Sequence, residues 1–182
     1  MGGVNIEPDT KDWTWVLDRP CRECGFDART VRTADLAPEI VANSATWSSV
    51  LTRAGAHTRP SPTVWSPLEY ACHVRDVHLV FDGRLHLMLD QDDPVFANWD
   101  QDQTAVEQRY DLGDPEVVAV ELSQAAAAVA ATYASVAPDQ WERPGRRSNG
   151  SVFTVESMGR YHLHDVVHHL RDVDLDVIVT RQ

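Results

Sequence analysis

Apolar residues recur at helical intervals in four long stretches, separated by segments rich in proline, glycine and acidic residues. The first stretch starts at Thr33-Ala34-Asp35 and carries Ile40, Val41, Trp47, Val50 and Leu51 until Gly55 closes it. Pro60, Pro62 and Pro67 then mark an extended connection. Trp65-Ser66-Pro67-Leu68-Glu69 combines a serine cap, a proline in the first turn and a glutamate three residues after the cap, the clearest helix start in the chain. The second helix is predicted from Pro67 to about Leu89, burying Leu68 or Tyr70, Val74, Val77, Phe81, Leu85 and Met88. His73 falls on its inner side, His78 and His86 are expected at the surface, and His57 in a loop.

Asp90 to Asp114 reads as an acidic, irregular connection with a short helix from Gln101 to Arg109, either a lid or a solvated loop. Asp114-Pro115-Glu116 caps a third long helix, alanine-rich from Val117 to Val136 and ended by Pro138. Arg143 to Gly150 forms a hairpin or loop, and Thr154 caps a fourth long helix that continues to Val179. Four such patterns without a convincing run of strands predict an all-α four-helix bundle over residues 35–182. Residues 1–34 are expected to be an N-terminal extension containing a CxxC motif.

Composition narrows the class. A chain of 182 residues, 43% apolar, suits one globular domain with an adequate core. A net charge of -12 disfavours nucleic acid and anionic membrane surfaces, because either partner needs a concentrated basic patch. The one basic group is short: Arg143, Arg146 and Arg147. The start of the chain lacks a basic-then-apolar signal pattern, and the apolar segment Val117 to Ala137 is interrupted by Glu121, Ser123 and Gln124, so neither export nor membrane spanning is expected. Three cysteines argue against a disulfide framework and for a reducing cytoplasm.

The chemistry gathers at two places. Cys21-Arg22-Glu23-Cys24-Gly25 has the shape of half a zinc knuckle, since two thiolates two residues apart can share one tetrahedral metal. No second CxxC follows, which leaves three readings: a redox dithiol, two ligands of a site completed by distant residues, or a structural turn. In the fourth long helix, Tyr161-His162-Leu163-His164-Asp165-Val166-Val167-His168-His169 places His164 and His168 one turn apart, so two imidazoles can reach one spot. With His73 inward on the second helix, a bundle core offers three nitrogen ligands and leaves one position open on a zinc-like ion.

This arrangement resembles the DinB/YfiT-like metalloprotein superfamily. The resemblance rests on Trp65-Ser66-Pro67-Leu68-Glu69-Tyr70-Ala71-Cys72-His73-Val74-Arg75-Asp76-Val77, on Gly150 to Val155, and on Tyr161 to His169. It implies a bundle of up-down-down-up type, often a homodimer, holding zinc, nickel or a similar divalent ion on His73, His164 and His168. It also implies a thiol-dependent transferase, isomerase or related hydrolase. Mycothiol is the expected thiol, because a chain rich in Ala, Val, Asp and Arg with a single lysine, Lys11, fits GC-rich coding.

Arg143, Arg146 or Arg147 are then candidates to hold a substrate carboxylate, and Asp100, Asp102 or Asp165 to orient a ligand imidazole or move a proton. The competing expectation is a non-catalytic metal-binding or thiol-responsive module built on Cys21, Cys24 and the histidines. Convergence of the cysteines on those histidines would make the ion closed and structural.

Overall fold

Local signals set the ends of the helices. The computed structural model describes residue 6 and residues 12–179, with side chains described as far as residue 174. Its helices are α1 (Thr33–Leu51), α2 (Pro67–Asp90), the short α3 (Gln101–Glu107), α4 (Pro115–Ala134) and α5 (Val155–Val179). At the start of α2, Ser66 Oγ accepts from Glu69 N at 3.2 Å and the Glu69 carboxylate accepts from Ser66 N at 2.8 Å. Arg59 Nε also donates to Glu69 Oε2 at 2.8 Å, so one carboxylate joins the helix start to the α1–α2 connection. Asp114 caps α4 by accepting from Glu116 N and Val117 N. Thr154 and Ser157 exchange side-chain to backbone bonds of 2.9 and 3.1 Å at the start of α5.

The four long helices form a bundle. α1 and α2 each pack against both α4 and α5, most extensively against α4, whereas α1 and α2 touch little and sit across a diagonal. Trp47, Leu36 and Ile40 from α1 and Leu68, Val77, Leu85 and Met88 from α2 meet Leu122, Val129 and Tyr133 of α4 and Met158 of α5 in the core. Ala126 and Ala130 of α4 are buried, and small side chains there permit close helix approach.

Two sequence expectations for the core differ from the structure. Val41 is 48% exposed, since α1 turns that side to solvent. His78 is fully buried: its Nδ1 lies 3.0 Å from His162 Nε2, and the His162 ring stacks on Phe81 at 4.5 Å between centroids. The reason is the diagonal placement of α2. A helix touching two neighbours buries a wider arc than a single apolar stripe, and that arc takes in the polar position after Val77.

A small sheet adds what helical periodicity does not reveal. β1 (Val95–Phe96) runs parallel to β2 (Pro144–Arg147), which pairs antiparallel with β3 (Val152–Thr154). The sheet draws the α2–α4 connection beside the start of α5. Gly145 opposes Phe153, and a Cβ there would lie 2.7 Å from Met88 Cγ. The extension contributes 3-10 turns at Thr14–Leu17 and Ala28–Thr30, both against α5, and Arg160 Nε of α5 donates to Val31 O at 3.0 Å.

Candidate metal centre

Each residue along a helix turns the side chain by about 100°. Hence the pairs His164/His168 and Asp165/His169, both one turn apart on α5, point to different neighbours. The second pair faces α2. His73, 0% exposed, brings its Nε2 to 3.8 Å from Asp165 Oδ1, and the rings of His73 and His169 meet almost perpendicular with centroids 4.6 Å apart. One ligand atom from each of His73, Asp165 and His169 lies within 4.8 Å of the others.

The donor chemistry of this group fits a divalent cation. Both ring nitrogens of His73 and Oδ1 of Asp165 are buried without a hydrogen-bond partner among the described residues. Such atoms are costly to bury unless something else satisfies them. Burial holds His73 in its neutral form by lowering its pKa. Burial alone would raise the Asp165 pKa, but the imidazoles of His73 and His169 outweigh it and keep the carboxyl ionised well below the usual range. His169 Nδ1 lies 3.1 Å from Asp172 Oδ2 while its Nε2 is 3.4 Å from Asp165 Oδ1, the kind of outer carboxylate that fixes an imidazole for ligation.

Aromatic rings wall the group. Trp99 lies parallel to the His73 ring at 5.4 Å, Trp65 packs tilted on the same ring at 5.2 Å, and Tyr70 packs on His169 at 5.4 Å. Trp99 is held by a 2.8 Å bond from Nε1 to Thr104 Oγ1, so the acidic connection contributes a wall. Asp165 and His169 line a cleft of about 590 Å³, as do Asp100 and Asp102. Asp100 caps α3 through a 2.9 Å bond from Gln103 N.

Strand alternation separates Arg146 from Arg147, and Arg143 lies just before β2. Arg147 lines the cleft, its Nε is buried without a hydrogen-bond partner among the described residues, and its guanidinium lies over Phe153 and Tyr161 at 5.3 and 5.5 Å. Arg146, on the opposite side of β2, donates to Asp93 at 2.8 Å, and Arg143 donates to the carbonyls of Met88 and Gln91 at 2.7 and 2.8 Å.

The pair His164/His168 faces the extension. Ligand atoms of Cys21, Cys24, His164 and His168 all lie within 4.8 Å of one another, and Cys21 Sγ is 3.8 Å from His168 Nδ1. The set expected from sequence, His73 with His164 and His168, is therefore divided between two groups. Asp165 and His169 are an equally spaced pair shifted by one residue from His164 and His168; helical phase relative to α2 is what separates them. Cys72 joins neither group: it is buried in the core and burial pushes its thiol up to about 12.

A model of the DinB superfamily matches residues 42–173, from within α1 to late α5. The chain belongs to the DinB superfamily. A solved structure with the same DinB fold is YfiT from Bacillus subtilis, described as "a probable metal-dependent hydrolase with an unusual four-helix bundle topology". It is 16% identical, with a TM-score of 0.68 over 97% of this chain and 94% of that one. No curated protein matches the sequence. The DinB match contains His73, Asp165 and His169 as well as His164 and His168, but Cys21 and Cys24 precede it.

Proposed function

We propose that this DinB protein is a metal-dependent enzyme acting on a small, carboxylate-bearing electrophile, with water or a low-molecular-weight thiol as nucleophile. His73, Asp165 and His169 would hold the divalent ion. An ion held there supplies Lewis acidity, which polarises a carbonyl and favours ionisation of water or a thiol. The observation that carries the reading is the set of buried atoms on His73 and Asp165 without hydrogen-bond partners among the described residues, beside a cleft of about 590 Å³.

The remaining roles belong to the chain's own groups. Asp172 orients His169 through its Nδ1. Trp65 and Trp99 cover His73 and exclude water from its ring. Arg147 lines the cleft, where a planar guanidinium pairs well with a substrate carboxylate. Asp100 and Asp102 stand at the cleft wall as proton carriers. The thiol branch is favoured by the same cleft, which has room for both a thiol cosubstrate and an acceptor.

Turnover assays on zinc- and nickel-loaded protein test this, using small carboxylated esters, amides and unsaturated acids with and without added thiol. Turnover in the wild type and its loss in His73→Ala and Asp165→Asn, with helical content unchanged, are expected. Undiminished turnover in both variants would reject the assignment. Dependence of the rate on thiol concentration separates transfer from hydrolysis.

A further inference from the structure

We propose that Cys21, Cys24, His164 and His168 form a second, closed metal site, suited to zinc, that fastens the N-terminal extension to α5. Two sulfur and two nitrogen donors are the ligand set of structural tetrahedral zinc. The four donor atoms lie within 4.8 Å of one another, against about 3.8 Å for the edges of a tetrahedron with zinc–sulfur bonds, and the Cys21–His168 pair is already at 3.8 Å. Small side-chain adjustments complete the cage.

The surrounding backbone is built for ligation. Cys21 N donates to Phe26 O at 2.8 Å and Gly25 N to Cys21 O at 2.9 Å, which curls the loop so that both sulfurs face α5. Gly25 adopts φ +79°, a left-handed conformation that favours glycine at the turn. His168 turns Nδ1 to Cys21 and leaves Nε2 at 3.5 Å from Glu23 Oε2, so the same loop supplies two ligands and an outer carboxylate for a third. His164 Nε2 is buried without a hydrogen-bond partner among the described residues.

Aromatic rings pack on both imidazoles. Trp13 meets the His168 ring edge-on at 4.9 Å, Phe26 meets His164 at 5.6 Å, and Cys21 is 1% exposed. Four protein ligands leave no position for substrate, which distinguishes this site from the three-donor group one helical position away. A redox dithiol normally opens a helix and needs an ionised thiol, whereas residues 21–24 form a turn with two imidazoles against the sulfurs. On binding, the two thiol protons leave for solvent as the thiolates bond the ion. The consequence reaches the cleft, because Trp13 and Glu23 of the fastened extension line it.

Cobalt(II) substitution of the full chain reads this site separately from the first. Wild-type protein is expected to show thiolate-to-cobalt charge transfer in the near ultraviolet and visible bands of tetrahedral cobalt. His73→Ala and Asp165→Asn should keep the charge-transfer band, and Cys21→Ser/Cys24→Ser should lose it. Absence of the band in wild type, or its survival in the double cysteine variant, overturns the proposal. Should that variant fail to fold, X-ray absorption of zinc-loaded wild type decides: a sulfur shell around zinc supports the site, and an oxygen and nitrogen shell alone refutes it. A sulfur-bound ion in a protein without turnover would count against the enzymatic reading and leave this one standing.

Discussion

Arg147 shows how one side chain acquires a role from its surroundings. Its neighbour Arg146 spends its charge on Asp93, while Arg147 rests on Phe153 and Tyr161 and lines the cleft, its Nε buried without a hydrogen-bond partner among the described residues. A charge-assisted bond to a carboxylate contributes about 1.5–3 kcal/mol, which is roughly tenfold or more in affinity. Arg147→Gln is therefore expected to raise KM for a carboxylated substrate by roughly tenfold with a smaller change in kcat, and Arg146→Gln to leave KM alone. Steady-state kinetics of the two variants check the contrast. At the same scale, His169 shows why spacing alone does not say which side chains meet His73: it stands beside His168 in sequence but about 100° away around the helix.

At the scale of elements, the bundle depends on how closely α5 approaches α1 and α4. Gly159 of α5 sits where an added Cβ would lie 2.6 Å from Leu36 Cδ1 and 3.1 Å from Tyr133 Cε1, both on buried side chains. Gly83 of α2 has nothing within 4 Å of the same construction and is exposed. Gly83→Ala should stabilise by about 1 kcal/mol through helix propensity. Gly159→Ala should instead destabilise by about 1–3 kcal/mol, because overpacking a filled interface outweighs that gain. Urea midpoints at unchanged m value test both, and a stabilised Gly159→Ala would mean the α5 interface has slack. Caps were legible here from short motifs: Ser66 and Glu69, Asp114, and Thr154 each bond the backbone groups that their positions required. The β1–β2–β3 sheet was not, since its strands are two to four residues long and pair across distant sequence.

For the whole molecule, buried neutral imidazoles link stability to pH. His78 is fully buried against His162, and burial lowers its pKa to about 4. The unfolded chain takes up a proton at His78 near pH 6.5, while the folded chain resists until about 4. The contribution of neutral His78 is thus fully present above pH 6.5 and is lost as pH falls toward 4, amounting to about 3 kcal/mol. Chemical denaturation of metal-loaded protein between pH 7 and 4.5 should show this decline, and His78→Gln should flatten it. An equally steep decline in the variant would assign the effect elsewhere.

Sequence by itself determined the four long helices, the inward position of His73 and the pairing of His164 with His168, because these follow from local periodicity and capping within one segment. It also marked Cys21 and Cys24 as a dithiol turn, with redox, metal-ligand and structural readings all open. Tertiary structure alone decided that His73 meets Asp165 and His169, and that the cysteines meet His164 and His168. Which side of a helix faces which neighbour depends on the relative rotation of packed helices and on the path of the extension. Those are set by side-chain packing between segments far apart in sequence, and a one-residue change of phase exchanges one group of side chains for the other.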